Sequence, residues 1–195
     1  MADSGEGDGD EGTVIVADDN EKVTDLYAGY LESRYRVRRA YSGEETLAET
    51  DENVDVVLLD RQMPDKSGDD VLDELREREF DLQVVMVTAL EPTMDVVDMP
   101  FDDYVVKPAT EEELHEVVKR QLVRASYDTR LNEYLRLKSK LDVLREEKSE
   151  EELAESDRFE MLTVLAQSLY DDLQEMRDEH DGLDADVPDE LIEPP

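Results

Sequence analysis

Five short apolar runs alternate with helical patterns over the first two thirds of the chain. Three of the runs are rich in Val and Ile with few polar interruptions, which is typical of parallel strands buried on both faces. The second run alternates between apolar and polar positions and therefore fits the edge of a sheet. The runs are Thr13–Ala17 (TVIVA), Tyr35–Ala40 (YRVRRA), Val54–Leu59 (VDVVLL), Leu82–Val87 (LQVVMV) and Tyr104–Val106 (YVV).

Helical patterns occupy the segments that follow each run. The pattern is clearest in the last segment, where Thr110 with Glu113 forms a capping box and an apolar stripe follows at helical spacing. Repeated strand–helix units of this kind predict an α/β fold, a doubly wound five-stranded parallel sheet with helices on both faces. The predicted helices cover residues 20–33, 42–51, 67–79, 91–99 and 110–124.

The strand pattern stops at about residue 126 and a helical pattern replaces it. Apolar residues then recur at intervals of three and four, as in the seam of packed helices. Ser149 with Glu152 is a second capping box and indicates that a new helix begins there. We therefore predict two long amphipathic helices over residues 126–180, arranged as a hairpin or as a nearly continuous rod. The seam residues are Tyr134, Leu137, Leu141 and Leu144, then Phe159, Leu162, Ala166, Leu169, Leu173 and Met176.

Three arrangements could bury this apolar seam. In a hairpin the two helices would bury it against each other or against the first domain. In a homodimeric coiled coil the same residues would be buried between two chains. A protein target could also dock on it, because amphipathic helices and apolar grooves suit each other. The sequence leaves all three open.

Composition adds a strong negative charge, with 56 Asp or Glu against 21 Lys or Arg and a net charge of −35. The apolar runs favour a folded protein with a carboxylate surface over a disordered acidic chain. Molar salt screens such a surface, so we prefer a halophilic source to an ordinary acidic protein. The charge argues against DNA and anionic membranes as partners. Residues 1–12 and 181–195 combine acid with Gly or Pro and are predicted to be disordered acidic tails.

Several classes of site are excluded by residue counts. The chain has no cysteine, which removes disulfides and thiolate metal sites, and its two histidines make a multi-histidine zinc site hard to build. No apolar run approaches the ~20 residues of a membrane span, and no signal peptide is recognisable. A soluble, cytoplasmic protein is therefore expected.

Candidate chemistry follows the predicted strands, at the sheet edge where doubly wound folds bind ligands. Asp18 and Asp19 follow the first strand, Asp60 the third, Thr88 the fourth and Lys107 the fifth. Three neighbouring carboxylates need a cation, and an all-oxygen set suits Mg²⁺. An ammonium and a hydroxyl beside them would accommodate a phosphoryl group. The pattern predicts a carboxylate that accepts phosphate with the help of Mg²⁺.

Four motifs carry a resemblance to the receiver domain of two-component response regulators, a flavodoxin-like fold, over residues 13–124. They occur in the family's order at the ends of the predicted strands. Residues 126–180 are similar to the HalX domain that follows receivers in halophilic archaea, on the segment Tyr127–Leu162. The receiver motifs are Asp18-Asp19, LLDRQMPDKSG (Leu58–Gly68), Val87-Thr88-Ala89 and YVVKP (Tyr104–Pro108).

The resemblance implies a role for each motif residue. Asp60 would be the phospho-acceptor, with a sensor histidine kinase as donor. Asp18, Asp19, Asp60 and the backbone carbonyl of Gln62 would hold Mg²⁺. Thr88 and Lys107 would bind the phosphoryl group. Tyr104 would be the aromatic switch that turns inward as Thr88 shifts.

The chain departs from the usual receiver pattern in one spacing. Thr88 and Lys107 are closer in sequence than in most receivers, which leaves room for only a short fourth helix.

A Mg²⁺-dependent phosphatase of similar fold would need an acid two residues after the nucleophile, where this chain has Gln62. We therefore predict a signalling protein that at most catalyses its own phosphorylation and dephosphorylation. A transcription factor that binds DNA through the C-terminal helices is the alternative function.

Overall fold

The computed structural model describes residues 12–78, 80–89, 99–180, 183 and 192–195. The chain forms two compact units, Met1–Ala125 and Ser126–Pro195, which we describe separately.

The first unit contains the predicted five-stranded sheet. All neighbouring strands are parallel, in the order β2-β1-β3-β4-β5. Every residue of β1, β3 and β4 is buried, whereas the two edge strands are partly exposed. The doubly wound fold predicted from the apolar runs is confirmed. The strands are β1 (Thr13–Ala17), β2 (Arg36–Ala40), β3 (Val56–Leu59), β4 (Gln83–Thr88) and β5 (Asp103–Val106).

Helices cover both faces of the sheet. A polar side chain caps each of the first three by accepting a hydrogen bond from a backbone N–H of the first turn: Asn20, Ser42 and Ser67. One core joins α1 and the start of α4 to one sheet face, and a second core joins α2 and α3 to the other. The helices are α1 (Glu21–Leu31), α2 (Gly43–Glu49), α3 (Gly68–Glu77) and α4 (Glu111–Glu147).

Helix α4 continues through the point near residue 125 where the sequence predicts that one helix ends and another begins. We expected one helix over 110–124 and another from 127, but one helix runs unbroken from Glu111 to Glu147. The apolar positions along this helix belong to two separate cores, with Leu114, Val117, Val118 and Leu122 in the first core and Tyr127 and Leu131 in the hairpin core. No Gly or Pro lies between Leu122 and Tyr127, so the backbone has no reason to stop between the two cores.

The capping box of Ser149 and Glu152 is present and begins a short helix, α5 (Glu150–Ala154). A second cap, Ser156, begins the long helix α6 (Asp157–Glu179). The expected second helix is therefore divided in two.

The second unit is an antiparallel helical hairpin. The rings of Tyr134 on α4 and Tyr170 on α6 lie 6.1 Å apart, and the Arg145 guanidinium lies 5.8 Å from the Phe159 ring. These two cross-helix pairs fix one register along the hairpin. The predicted seam is buried within one chain, through Leu137 and Leu141 of α4 and Ala166, Leu169 and Leu173 of α6.

Several predictions concern the least regular segments. Residues 1–11 lie outside the described residues, and so do 91–98 of the fourth helix that is expected over 91–99. Gly12 joins the sheet edge through its carbonyl, which accepts a hydrogen bond from the Arg36 N–H at 3.0 Å. The sequence predicts that residues 181–195 are disordered. Two residues of this segment, Leu183 and Ile192, instead pack against the hairpin core. The other residues of 181–191 are not described.

Candidate functional site

Three aspartates meet at the carboxyl edge of the sheet. Asp18 and Asp19 follow β1 and Asp60 follows β3, which is the neighbouring strand. One oxygen from each carboxylate lies within 4.8 Å of the other two. Asp18 and Asp60 are buried, whereas Asp19 is exposed. This all-oxygen donor set with one open side suits Mg²⁺, which keeps several waters when it binds.

Backbone hydrogen bonds hold the two buried aspartates. The N–H of Asp60 donates to the Ala17 carbonyl at 2.8 Å, and the N–H of Asp18 donates to the Ala40 carbonyl at 3.1 Å. The Asp18 carboxylate accepts the N–H of Asn20 at 2.9 Å. The positions of these carboxylates are therefore set by the ends of three adjacent strands.

Lys107, which follows β5, reaches across the sheet edge to this cluster. Its ammonium forms an ion pair with Asp18 and lies 3.1 Å from Oδ1 of Asp60. The side chain is largely buried, with 15% of its surface exposed. A buried cation needs carboxylate partners, and two carboxylates this close need a cation, so each stabilises the other.

Burial raises the pKa of the Asp60 carboxyl above its ordinary value, because water is excluded from its charged form. The Lys107 ammonium opposes this effect, and the Asp18 carboxylate adds to it. The backbone N–H of Gln62 also bonds to the Asp60 carboxylate and favours its charged form. The Asp60 carboxylate is thus surrounded by the Lys107 ammonium, the Asp18 carboxylate and the Gln62 N–H. The metal-binding role predicted for the Gln62 carbonyl stays a prediction.

Thr88 lies at the last position of β4 and is almost fully buried. Its carbonyl accepts the N–H of Lys107 at 2.8 Å, which fixes the end of β5 beside that of β4. The structure therefore brings the predicted hydroxyl residue into the strand next to Asp60. Ala89 is exposed directly after it.

Tyr104 is half-buried on β5, next to the second core. Its ring lies 5.7 Å from the ring of Phe101, at an interplanar angle of 51°. Tyr104 pairs with Met86 in the parallel register of β4 and β5, two residues before Thr88. The predicted switch residue is thus on the strand beside Thr88.

The loop after Asp60 packs against the backbone of Asp60 through a glycine. A Cβ at Gly68 would lie 2.3 Å from the Asp60 carbonyl oxygen and 2.7 Å from the Cα of Arg61. The Gly68 N–H also donates to the Arg61 carbonyl at 2.9 Å. Only a residue without a side chain fits this approach, which places the N-terminus of α3 directly on the backbone of Asp60 and Arg61.

Two supporting contacts were not predicted from the sequence. The Tyr27 hydroxyl accepts the buried N–H of Ala109 at 3.0 Å, which ties α1 to the turn after Lys107. Arg61 forms a bidentate pair with Asp69, with N–O distances of 2.9 to 3.2 Å. The first contact joins residues 82 positions apart and the second joins residues eight positions apart, and neither residue type carries a local signal for its partner.

Comparison with known families agrees with this geometry. Residues 14–119 match the response regulator receiver domain, and residues 123–191 match the HalX domain. Both resemblances inferred from the sequence motifs are confirmed.

Curated relatives extend the comparison. A Haloferax volcanii protein, named as a candidate transcriptional regulator, is 49% identical over 130 residues, which are 66% of this chain and 22% of that protein. The transcriptional regulatory protein CpxR of Klebsiella pneumoniae is 35% identical over 58% of this chain and 50% of its own length. The chain thus spans half or less of these relatives. The Haloferax relative supports the halophilic source expected from the acid excess.

Solved structures show the same fold. The BeF3-activated receiver domain of DrrB from Thermotoga maritima aligns with a TM-score of 0.53 and 30% identity, over 56% of this chain and 96% of that domain. A CheY-like receiver domain protein from Methanospirillum hungatei aligns with a TM-score of 0.56 and 24% identity, over 60% and 98% of the two chains. Among the helices of the described residues, none has the length and apolar character to cross a bilayer.

Proposed function

Because this chain belongs to the response regulator receiver domain family, we propose that it accepts a phosphoryl group on Asp60 from a sensor histidine kinase. The observation that carries the proposal is the cluster of Asp18, Asp19 and Asp60 bridged by Lys107. This cluster combines a buried carboxylate, an all-oxygen donor set and a cation at one sheet edge.

In the proposed reaction an oxygen of Asp60 attacks the phosphorus of a phosphohistidine, the O–P bond forms and the P–N bond breaks. The imidazole keeps the electron pair of the broken bond and takes up a proton. Negative charge on the transferred group must be neutralised, because the transfer depends mainly on positioning and electrostatics. Lys107 is already 3.1 Å from Asp60 and supplies one positive charge.

Asp18, Asp19, Asp60 and the Gln62 carbonyl would hold Mg²⁺, which supplies further charge neutralisation when it is bound. The buried Asp18 is oriented for this by the Asn20 N–H, while the exposed Asp19 leaves one side open to solvent. No Ser–His pair or other activated nucleophile is part of the cluster. We accordingly propose a phospho-acceptor that at most catalyses its own phosphorylation and dephosphorylation.

The proposed response begins at Thr88, whose hydroxyl would bond to the phosphoryl group, and continues with an inward movement of Tyr104. The HalX hairpin would be the output device, through a protein target or through self-association. Its seam is buried within the chain, so self-association would have to use another face or rearrange the hairpin.

Phosphorylation is tested with acetyl phosphate and Mg²⁺ in molar KCl, followed by intact-protein mass spectrometry. We expect one added phosphoryl group in the wild type and none in Asp60→Asn. Asp65→Asn is the matched control, because Asp65 is an exposed aspartate of the same loop and should leave the yield unchanged. Labelling that persists in Asp60→Asn would overturn the assignment of the acceptor.

Output through assembly is tested by light scattering in molar KCl, with and without Mg²⁺ and beryllium fluoride. A mass that changes with the mimic in the wild type, and not in Asp60→Ala, would support coupling between the site and assembly. An unchanged mass with the mimic bound would exclude that coupling and leave a protein target as the output.

Direct DNA binding by the C-terminal helices is a second candidate, which the names of the two curated relatives favour. Arg136 and Lys140 are exposed on α4, whereas α6 presents mostly acidic residues. Fluorescence anisotropy with random-sequence duplex DNA over a range of KCl concentrations separates the cases. Binding that weakens steeply with salt and is lost in Arg136→Gln/Lys140→Gln would support this candidate.

A further inference from the structure

Arg76 joins three parts of the receiver unit, which are the end of α3, the residue before β4 and the segment before β5. It lies in the last turn of α3, and its guanidinium donates three hydrogen bonds. Nη1 donates to the carbonyl of Leu82 at 2.9 Å, just before β4. Nε donates to the carbonyl of Pro100 at 2.7 Å, and Nη2 donates to Oδ2 of Asp102 at 2.6 Å.

Asp102 continues this connection to the sheet. Its Oδ2 also accepts the N–H of Val84 at 2.6 Å, and its own N–H donates to the Val84 carbonyl at 2.9 Å. Asp102 is therefore bonded both to Arg76 and to the start of β4. We call Arg76 and Asp102, with these bonds, the Arg76–Asp102 clamp.

Phe101 lies between the two residues that the clamp holds, Pro100 and Asp102. Its ring packs against the second core together with Met99 and contacts the ring of Tyr104 at a centroid distance of 5.7 Å. Hydrogen bonds hold the backbone on both sides of Phe101. The clamp therefore also fixes the position of the Phe101 ring, which Tyr104 contacts.

We propose that Arg76 and Asp102 are positioning residues for the switch: by holding Phe101 they stabilise Tyr104 in the arrangement that accompanies the unmodified Asp60. The inference rests on the proposed function, since it assigns a role toward the same site. The Tyr104–Phe101 contact occurs together with the Lys107–Asp60 ion pair, and we assign both to the same state of the switch.

This role gives the clamp a thermodynamic consequence. A contact that stabilises one of two states must be lost, or weakened, when the other state forms. If the clamp favours the free-carboxylate arrangement, its removal lowers the cost of the switch and tightens binding of a phosphoryl mimic. A clamp that only supports the fold would instead lower the melting temperature and leave the affinity unchanged or weaker.

The test measures beryllium fluoride affinity by ¹⁹F NMR on the full chain, in molar KCl with saturating Mg²⁺. For Arg76→Gln and Phe101→Leu we expect binding about threefold to tenfold tighter than the wild type, the range that an aromatic contact of this kind corresponds to. Arg78→Gln is the matched control. Arg78 follows α3 and donates to the backbone carbonyls of Leu47 in α2 and of Thr50, neither of which lies in the segment before β5.

Two further variants keep the result interpretable. Asp102→Asn retains an oxygen acceptor for the Val84 N–H, so it weakens the clamp even if Arg76→Gln does not fold. In a Tyr104→Leu background the clamp substitution should no longer change the affinity, because the clamp acts through that ring.

The outcomes are distinct. Unchanged or weaker binding in the folded clamp variants, or an effect that persists in Tyr104→Leu, would overturn the positioning role. Absence of beryllium fluoride binding to the wild type would instead overturn the proposed function, and the inference with it. Tighter binding in Arg78→Gln as well would show a general loosening of α3 and would also overturn the role.

Discussion

The ammonium of Lys107 lies 3.1 Å from Oδ1 of Asp60 and also pairs with Asp18, so one cation bridges the carboxylates that follow two different strands. In this position the Lys107 ammonium contacts Asp18 and Asp60, two of the carboxylates that would bind a divalent cation. It is also in reach of a phosphoryl group on Asp60. The same side chain should therefore oppose one ligand and favour the other.

Lys107→Gln is predicted to change the two affinities in opposite directions. Loss of the positive charge should tighten Mg²⁺ binding, because like charges repel across a partly buried site. Beryllium fluoride binding should weaken about tenfold or more, since a charge-assisted hydrogen bond is lost. Calorimetry for Mg²⁺ and ¹⁹F NMR for beryllium fluoride measure the two effects. Lys119→Gln, on the exposed face of α4, is the control, and a parallel change of both affinities would contradict the prediction.

Asp18→Asn is predicted to weaken Mg²⁺ binding about tenfold or more, because one anionic ligand becomes neutral while its shape is kept. The Asn side chain can still accept the N–H of Asn20, so the local backbone should persist. Calorimetric titration with MgCl₂ in molar KCl checks this. The control is Asp73→Asn, an exposed aspartate of α3. Equal affinities in the two variants would remove Asp18 from the metal site.

Gly68→Ala and Gly29→Ala should have opposite effects on stability. At Gly68 a Cβ would meet the Asp60 carbonyl at 2.3 Å, so the backbone must shift at a cost of about 1–3 kcal/mol. At Gly29, on the exposed side of α1, no atom lies within 4 Å of the added Cβ. There Ala should stabilise the helix by up to about 1 kcal/mol. Urea unfolding in molar KCl gives both values, and an unaffected Gly68→Ala would argue against the close approach.

The hairpin makes a separate prediction about its seam. Leu141 is fully buried, so Leu141→Ala should destabilise the HalX unit by about 2–5 kcal/mol. Val143 lies two residues away with 55% of its surface exposed, so Val143→Ala should change stability by less than about 0.5 kcal/mol. Thermal unfolding followed by circular dichroism distinguishes them. Similar effects at both positions would mean that another chain covers Val143.

Residues at the ends of strands could be predicted because their placement depends on a rule of parallel sheets. Asp18 and Asp60 each follow a buried apolar run, and neighbouring parallel strands bring their carboxyl ends together. Only the order of the strands was needed, and the handedness of the connections restricts that order. Lys107 follows from the same rule.

The remaining contacts could not be predicted because no local pattern encodes them. The three acceptors of Arg76 belong to segments that meet only after the sheet has formed. Ile192 lies in an acidic, proline-containing segment, and its burial depends on a groove that the hairpin provides. The length of α4 could not be predicted for a different reason, since its apolar residues belong to two separate cores and no single stripe runs along the helix.

The hydrogen bonds of the arginines in the receiver unit affect how its stability depends on salt concentration. Several of them donate to uncharged backbone carbonyls rather than only to carboxylates. Molar salt shortens the range of Coulomb attraction to about 3 Å, which weakens exposed ion pairs but acts less on hydrogen bonds to neutral acceptors. The contacts that join distant loops should therefore persist across salt concentrations, and unfolding in dilute buffer would reflect repulsion among the carboxylates. These contacts run from Arg38 to Glu49, from Arg76 to Leu82 and Pro100, and from Arg78 to Leu47 and Thr50.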